Sequence, residues 1–179
     1  MDFFEAAPVE GYEVINCVDP ADYDAFLELN TGATTRGWGP PLVRRLGPEI
    51  GQPGLESDFP WFGVDVLVMR RHAVDALRDL LEANGEVLPL ATEDGVALSA
   101  YKPQVIDALD ETRSTIARIP GTNKIMRIRR AVFIPSVLSG VDLFTLPHRA
   151  SATYLSDRVV TRIKFARLRG ITFEKVWSG

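Results

Sequence analysis

The stretch from Phe59 to Leu90 constrains the fold most, because it reads as strand, helix and strand in immediate succession. Val64–Met69 is a short, largely apolar run that suits a strand. In residues 71–84, Ala73, Val74, Leu77, Leu80 and Leu81 recur at the 3.6-residue period and form one apolar stripe, with Asp75, Arg78, Asp79 and Glu82 opposite. Arg71 with Asp75, and Arg78 with Glu82, are spaced to pair at i,i+4, at about 0.3 kcal/mol each. Arg70, Arg71 and His72 are poor caps, and cations there oppose the helix dipole. Burial of the leucine stripe must therefore hold the helix. Asn84-Gly85 is the expected stop, since glycine tolerates a left-handed terminal residue. Val87–Leu90 and Val96–Tyr101 then predict a hairpin about Thr92-Glu-Asp-Gly95.

A shorter copy of that order closes the chain from Thr153 to Trp177. Ser156 is a good N-cap, Asp157 suits the first turn, and Val159, Val160, Ile163 and Ala166 carry the buried stripe. Gly170 is the expected stop, and Ile171–Trp177 a strand with Ile171, Phe173 and Trp177 on one side. The expectation is an α+β fold: a mixed, mainly antiparallel sheet with two principal helices packed on it, in two strand-helix-strand units. Residues 58–179 form the main domain. Residues 1–57 form an acidic, loop-rich N-terminal region packed on it, so that the chain is one compact unit. At 179 residues such a chain can bury a full core without disulfides.

Elsewhere the signals are weaker. Tyr12–Val18 reads as the first strand, Asp19-Pro-Ala-Asp22 as a turn or short helix, and Tyr23, Phe26, Leu27 and Asn30 as its helical continuation. Residues 31–62 are punctuated by Gly and Pro, with Leu42–Leu46 a candidate strand and Trp38 and Trp61 placed to plug the edge of the core or anchor a partner. Ile116–Ile119 and Lys124–Ile134 read as paired strands, Met126 and Ile128 on one side and Arg127 and Arg129 on the other. Val141–Leu146 reads as a further strand.

The chemistry-bearing residues form no recognisable constellation. Cys17 is the only cysteine, so no internal disulfide can form. His72 and His148, the only histidines, lack the neighbours of a zinc site and suit solvent-exposed positions. The glycines have no Walker spacing, and residues 19–30 lack the ligand order of a calcium loop. No metal, cofactor or catalytic residue is therefore assigned. Asp107 and Asp110 could share a helical face and work as an acid/base pair, but a turn cluster or pairing with Arg113 is the simpler reading. No run approaches the roughly 20 apolar residues of a membrane span, and the N-terminus lacks signal-peptide features, which makes the cytosol the expected compartment.

Charge is segregated. Residues 1–112 hold 7 Lys+Arg and 21 Asp+Glu, net −14, whereas residues 113–179 hold 13 and 3, net +10. Mutual neutralisation within the fold is the simpler reading; an acidic face for a basic partner is the functional one. Residues 1–30 carry eight acids and no Lys or Arg, and Asp19, Asp22, Asp24 and Glu28, with Trp38, are the candidate partner-binding residues. The basic stretch 113–135 lacks interleaved aromatics, which disfavours nucleic acid without removing it as the alternative.

Four blocks in order resemble the immunity protein 11 family of bacterial polymorphic-toxin systems, first catalogued as a domain of unknown function. They are Asp58-Phe-Pro-Trp61; Leu67-Val-Met with 73–81 and Gly85-Glu-Val-Leu-Pro-Leu90; 105–114; and Tyr154-Leu-Ser156 with Leu168-Arg-Gly-Ile-Thr-Phe173 and Val176-Trp177. Arg70-Arg71 departs from the pattern, which more often has a small hydroxyl residue at the helix start. The resemblance implies a non-enzymatic inhibitor that binds a cognate toxin protein, with no cofactor and no membrane partner. An uncharacterised small enzyme is the remaining rival. The edge strand of the sheet also offers a route to pairing with a second copy.

Overall fold

Among the residues that the computed structural model describes, 1–47, 54–63, 66–148 and 151–179, two larger sheets and one two-stranded sheet carry three α-helices. In chain order the elements are β1 (Asp2–Pro8), β2 (Val14–Cys17), a 3-10 turn (Pro20–Asp22), α1 (Tyr23–Leu29), β3 (Leu42–Leu46), β4 (Val68–Arg70), α2 (Arg71–Asn84), β5 (Gly85–Thr92) and β6 (Leu98–Pro103). There follow β7 (Thr115–Arg118), β8 (Ile125–Arg130), a 3-10 turn (Pro135–Val137), β9 (Leu143–Phe144), β10 (Tyr154–Ser156), α3 (Asp157–Phe165) and β11 (Ile171–Ser178). One sheet has the order β2-β3-β5-β6-β4 and the other β11-β1-β10-β9, while β7 and β8 pair only with each other. The β3–β5 pair is parallel and the remaining strand pairs are antiparallel. Past the end of β6, Val105 bridges Thr145 just beyond β9, with Ile106 N–H donating to the Thr145 carbonyl at 2.9 Å.

Period-two alternation divides the apolar side chains among three cores. Met69, Tyr101, Leu143 and Leu155 face a central core shared with α2 and α3. Their strand neighbours Val68, Leu98 and Ala100 face a second core closed by Phe26 and Leu29 of α1. Phe3, Phe144 and Tyr154 face a third, where Phe133 packs edge-on to Phe144 and Tyr154 at centroid distances of 5.3 and 4.9 Å. Residues 1–8 are integral to this arrangement, because β1 lies between β10 and β11.

The expected α2 stripe is buried: Ala73, Val74, Leu77, Leu80 and Leu81 all enter the central core. Burial of one such leucine is worth about 1.5–3 kcal/mol. Both expected i,i+4 pairs form, Arg71–Asp75 at 3.8 Å and Arg78–Glu82 at 3.4 Å. The poorly capped N-terminus receives help from another segment. Buried Asp58 lies 2.9 Å from His72 Nδ1 and places its carboxyl beside the first turn, where the dipole favours an anion. In α3, Ser156 caps as expected, accepting from the Val159 N–H at 3.4 Å.

Several expectations are corrected by tertiary geometry. Gly85 is extended, not left-handed; it is required because a Cβ would strike the Lys102 carbonyl and the Tyr101 ring. α3 ends at Phe165, five residues before Gly170; Arg167 takes a positive φ on the way out, and Gly170, also at positive φ (88°), lets Ser57 approach. A register shift opposite Phe3 and Phe4 displaces Val176, so Trp177 turns to the third core while Ile171 and Phe173 meet the central one. β1 lies ahead of the run expected to be the first strand, and in α1 it is Phe26 and Leu29 that are buried while Tyr23 is exposed. Residues 105–110 are extended, with Val105 and Leu109 in isolated bridges, so Asp107 and Asp110 share no helical face. Val64 and Asp65 of the expected strand, like Pro48, Gly51 and Pro53 of the loop, lie outside the described residues.

Candidate functional site

Asp19 starts the acidic segment by accepting from the Ala21 N–H at 2.8 Å, with Pro20 in the first helical position. α1 follows, its Phe26 ring packed on Phe62 at a centroid distance of 4.3 Å. Burial of Phe26 and Leu29 forces Asp24 and Glu28 outward. The loop after α1 is pinned to the sheet at two points. The Trp38 indole N–H donates to the Pro89 carbonyl at 2.9 Å, and the Thr35 hydroxyl donates to Glu86 at 2.5 Å. Between helix and loop runs an open groove of about 370 Å³, bordered by Asp24, Glu28, Leu29, Thr35, Arg36 and Trp38.

Three of the five expected residues, Asp24, Glu28 and Trp38, therefore meet at one groove. Asp19 and Asp22 lie on the preceding turn, outside its lining. They still shape the local field: burial first, then the carboxylates of Asp22 and Asp19, pushes the half-buried Cys17 thiol above its ordinary value. Trp38 is half-buried against the second core with its polar edge satisfied, so it is held rigid while part of its ring forms the groove wall.

A second charged surface lies on the β7–β8 hairpin. Ile116, Ile125 and Ile128 dock on the third core. The expected simple alternation is broken by two bulges: Ala117 pairs with Arg127 and Arg118 with Ile125, skipping Met126, while Ile116 pairs with Ile128 and Thr115 with Arg130, skipping Arg129. Met126 consequently faces solvent at 59% exposure instead of sharing a side with Ile128. The expectation for this stretch is a nucleic-acid face kept as the alternative, and it does not include an outward Met126, because bulges leave no period in the sequence.

Of the expected carboxylate pair, Asp107 is exposed and Asp110 is engaged locally. Asp110 caps a turn, accepting from the Thr112 hydroxyl at 2.7 Å and the Arg113 N–H at 3.1 Å, and these bonds, Thr112 first, hold its carboxyl below the usual range. That is the wrong direction for a general acid. Ser57, Asp58 and His72 are neighbours, yet the buried Ser57 hydroxyl bonds to the Phe59 N–H and the Arg169 carbonyl and not to the imidazole. Among the described residues no group of three or more His, Cys, Asp or Glu is placed to hold a metal, and no helix is long and apolar enough to cross a membrane.

The comparison with protein families is decided by the C-terminal part of the chain. Residues 103–178 match the immunity protein family Imm11. The Imm11 segment runs from the end of β6 to the end of β11, and so contains the basic hairpin, α3 and the third core. It includes two of the four blocks that carry the resemblance, those at 105–114 and 154–177, and leaves the α2 unit and the acidic groove outside the Imm11 match. No curated protein matches the chain.

Proposed function

We propose that this protein is a non-enzymatic immunity protein of a bacterial polymorphic-toxin system, which binds its cognate toxin in the cytosol and neutralises it by occupying its surface. The match of residues 103–178 to the Imm11 family carries the reading. In this reading residues 1–57 and 58–179 act as one unit, β1 and β2 being strands of the two sheets. The acidic groove is the contact. Asp24 and Glu28 steer a basic toxin surface to it, with Asp19 and Asp22 extending the field, and Trp38 supplies a preformed aromatic wall. A toxin that cleaves nucleic acid has a basic groove of the required sign. At one sheet edge, β11 carries a bulge and the Glu174-Lys175 pair, features that discourage pairing with a second copy there.

The test is co-expression with the protein encoded beside this gene, followed by co-purification and a growth-protection assay. A stable complex with protection is expected. Asp24→Lys/Glu28→Lys should slow association at low salt by about tenfold, as charge steering requires. Trp38→Ala should weaken binding about 30-fold, the scale of an interface hot spot. A neighbouring toxin that is neither bound nor blocked defeats the proposal.

A further inference from the structure

The β7–β8 hairpin is not accounted for by the groove. Its inner face is three isoleucines on the third core, and its outer face carries Lys124, Arg127, Arg129, Arg130 and Met126. Two basic neighbours have local work: Arg118 bonds Glu111 and the Asn123 carbonyl, both at 2.6 Å, and Arg130 reaches the Arg113 carbonyl at 2.9 Å. Among the described residues Lys124, Arg127 and Arg129 have no carboxylate partner. Their cross-strand partners give no relief, since Arg127 stands opposite Ala117 and Arg130 opposite Thr115. The two bulges add a directional feature, because the residues they displace are Met126 and Arg129. Bulges re-aim side chains, and methionine and arginine are enriched at the centres of protein interfaces.

We infer that this hairpin is a second docking element, which receives an acidic patch on the toxin; the inference rests on the toxin-binding reading above. A protein surface fits better than a nucleic acid for two reasons. Exposed Met126 and Ile119 offer apolar contact where a phosphate chain has none to give. The acidic α1 is tied close by, Asn30 at its C-terminus donating at 2.9 Å to the carbonyl of Ser151, which borders the same cavity as Met126 and Arg127, and its carboxylates would repel a long polyanion. The toxin so recognised is dipolar, basic where it meets the groove and acidic where it meets the hairpin.

Affinity for the purified toxin from the neighbouring gene is measured at two salt concentrations for the wild type, Arg127→Glu/Arg129→Glu and Met126→Asp. Retention of each protein on a duplex DNA column is measured in parallel. Unchanged thermal melts establish that the variants fold; Arg127→Ser/Arg129→Ser replaces the reversal if it does not. The inference expects at least about a 30-fold loss for the charge reversal, a smaller loss for Met126→Asp, and a shallower salt dependence. Wild-type protein that binds no toxin removes the immunity reading and this inference together. Wild-type binding with hairpin variants within about twofold of it overturns the hairpin alone. DNA retention at physiological salt that the reversal abolishes, with toxin binding untouched, overturns it in favour of a nucleic-acid face.

Discussion

Replacing Glu13 by leucine should destabilise the whole molecule, although Glu13 lies in a loop 57 residues from its main partner. Its side chain is almost fully buried, at 5% exposure. Oε1 accepts from Arg70 Nη2 at 2.5 Å and from the Ser57 N–H at 3.1 Å, and Oε2 accepts from Arg45 Nη1 at 2.9 Å. Arg70 is largely buried, its side chain 12% exposed, and gives its Nε to the Ser57 carbonyl at 2.8 Å, which holds it in place. Glu13→Leu leaves that guanidinium with only exposed Glu56, 3.8 Å distant, while Arg45 keeps Asp94. Breaking a buried pair costs about 3–5 kcal/mol, and the surviving Arg45–Asp94 pair favours the lower end. The orphaned Ser57 N–H adds about 1 kcal/mol. For a chain of this size about 4 kcal/mol lowers Tm by roughly 8–16 °C. Thermal melts by circular dichroism measure it, with Glu13→Leu/Arg70→Met as control. Removing both charges should recover more than half the loss, because the cost lies in the unpaired charge. A single variant melting within about 3 °C of wild type, or a double variant whose losses simply add, refutes the reasoning.

Leu77→Asp puts an unpaired carboxylate into the central core and should leave no cooperative melt, while Leu77→Ala should cost about 2–5 kcal/mol. Gly85→Ala should lose about 2 kcal/mol or more in urea titration, since its Cβ meets the Lys102 carbonyl on the paired strand. The Glu86 carboxyl is held below its ordinary 4.5, first by the Thr35 hydroxyl and then by Lys102. A depressed carboxylate stabilises the fold above its unfolded value, and that contribution is lost as pH falls through the folded value. Glu86→Gln should therefore be less stable than wild type near neutral pH and converge on it in acid. Stability curves that stay parallel down to pH 2–3 would contradict that assignment.

The helices could be read from the sequence because their causes are local. The spacing of Ala73, Leu77 and Leu80 fixes which side of α2 is buried whatever it packs against, and Ser156 caps α3 from the adjacent position. β5 and β6 were legible as a hairpin, but not their register, since the pairing closes at Leu90 and Leu98 with residues 91–97 between them. What stayed hidden depends on distant partners. β1 has no alternating pattern, because Phe3 and Phe4 are consecutive and enter different cores. Asn84 is buried at the end of a leucine helix because it accepts from the Asp142 N–H and the Gln104 amide, both at 2.9 Å. No spacing rule announces a partner 58 residues away.

The candidate surfaces show the same division and also decide how the segregated charge is used. Neutralisation between the halves is real: Arg113 pairs with Asp110, Arg118 with Glu111, Arg162 with Asp79 and Lys175 with Asp2. Each pair joins a cation from residues 113–179 to an acid from residues 1–112, which accounts for part of the asymmetry as internal structure. Among the described residues of 113–179 the cations left without an ion pair fall in two places, Lys164, Arg167 and Arg169 at and just after the end of α3, and the β7–β8 hairpin. Lys124, Arg127 and Arg129 are left together on one hairpin, in a protein whose formal net charge is −4 and which has acids enough to pair them. Ion pairs at the surface are worth little to stability, so leaving these three unpaired costs the fold little. In the proposed toxin-binding reading their value lies in association, where an uncompensated cluster draws in a partner of the opposite sign. The acidic turn and α1 stand in the same relation to a basic partner, and the rigid Trp38 wall beside them gives that field a place to act.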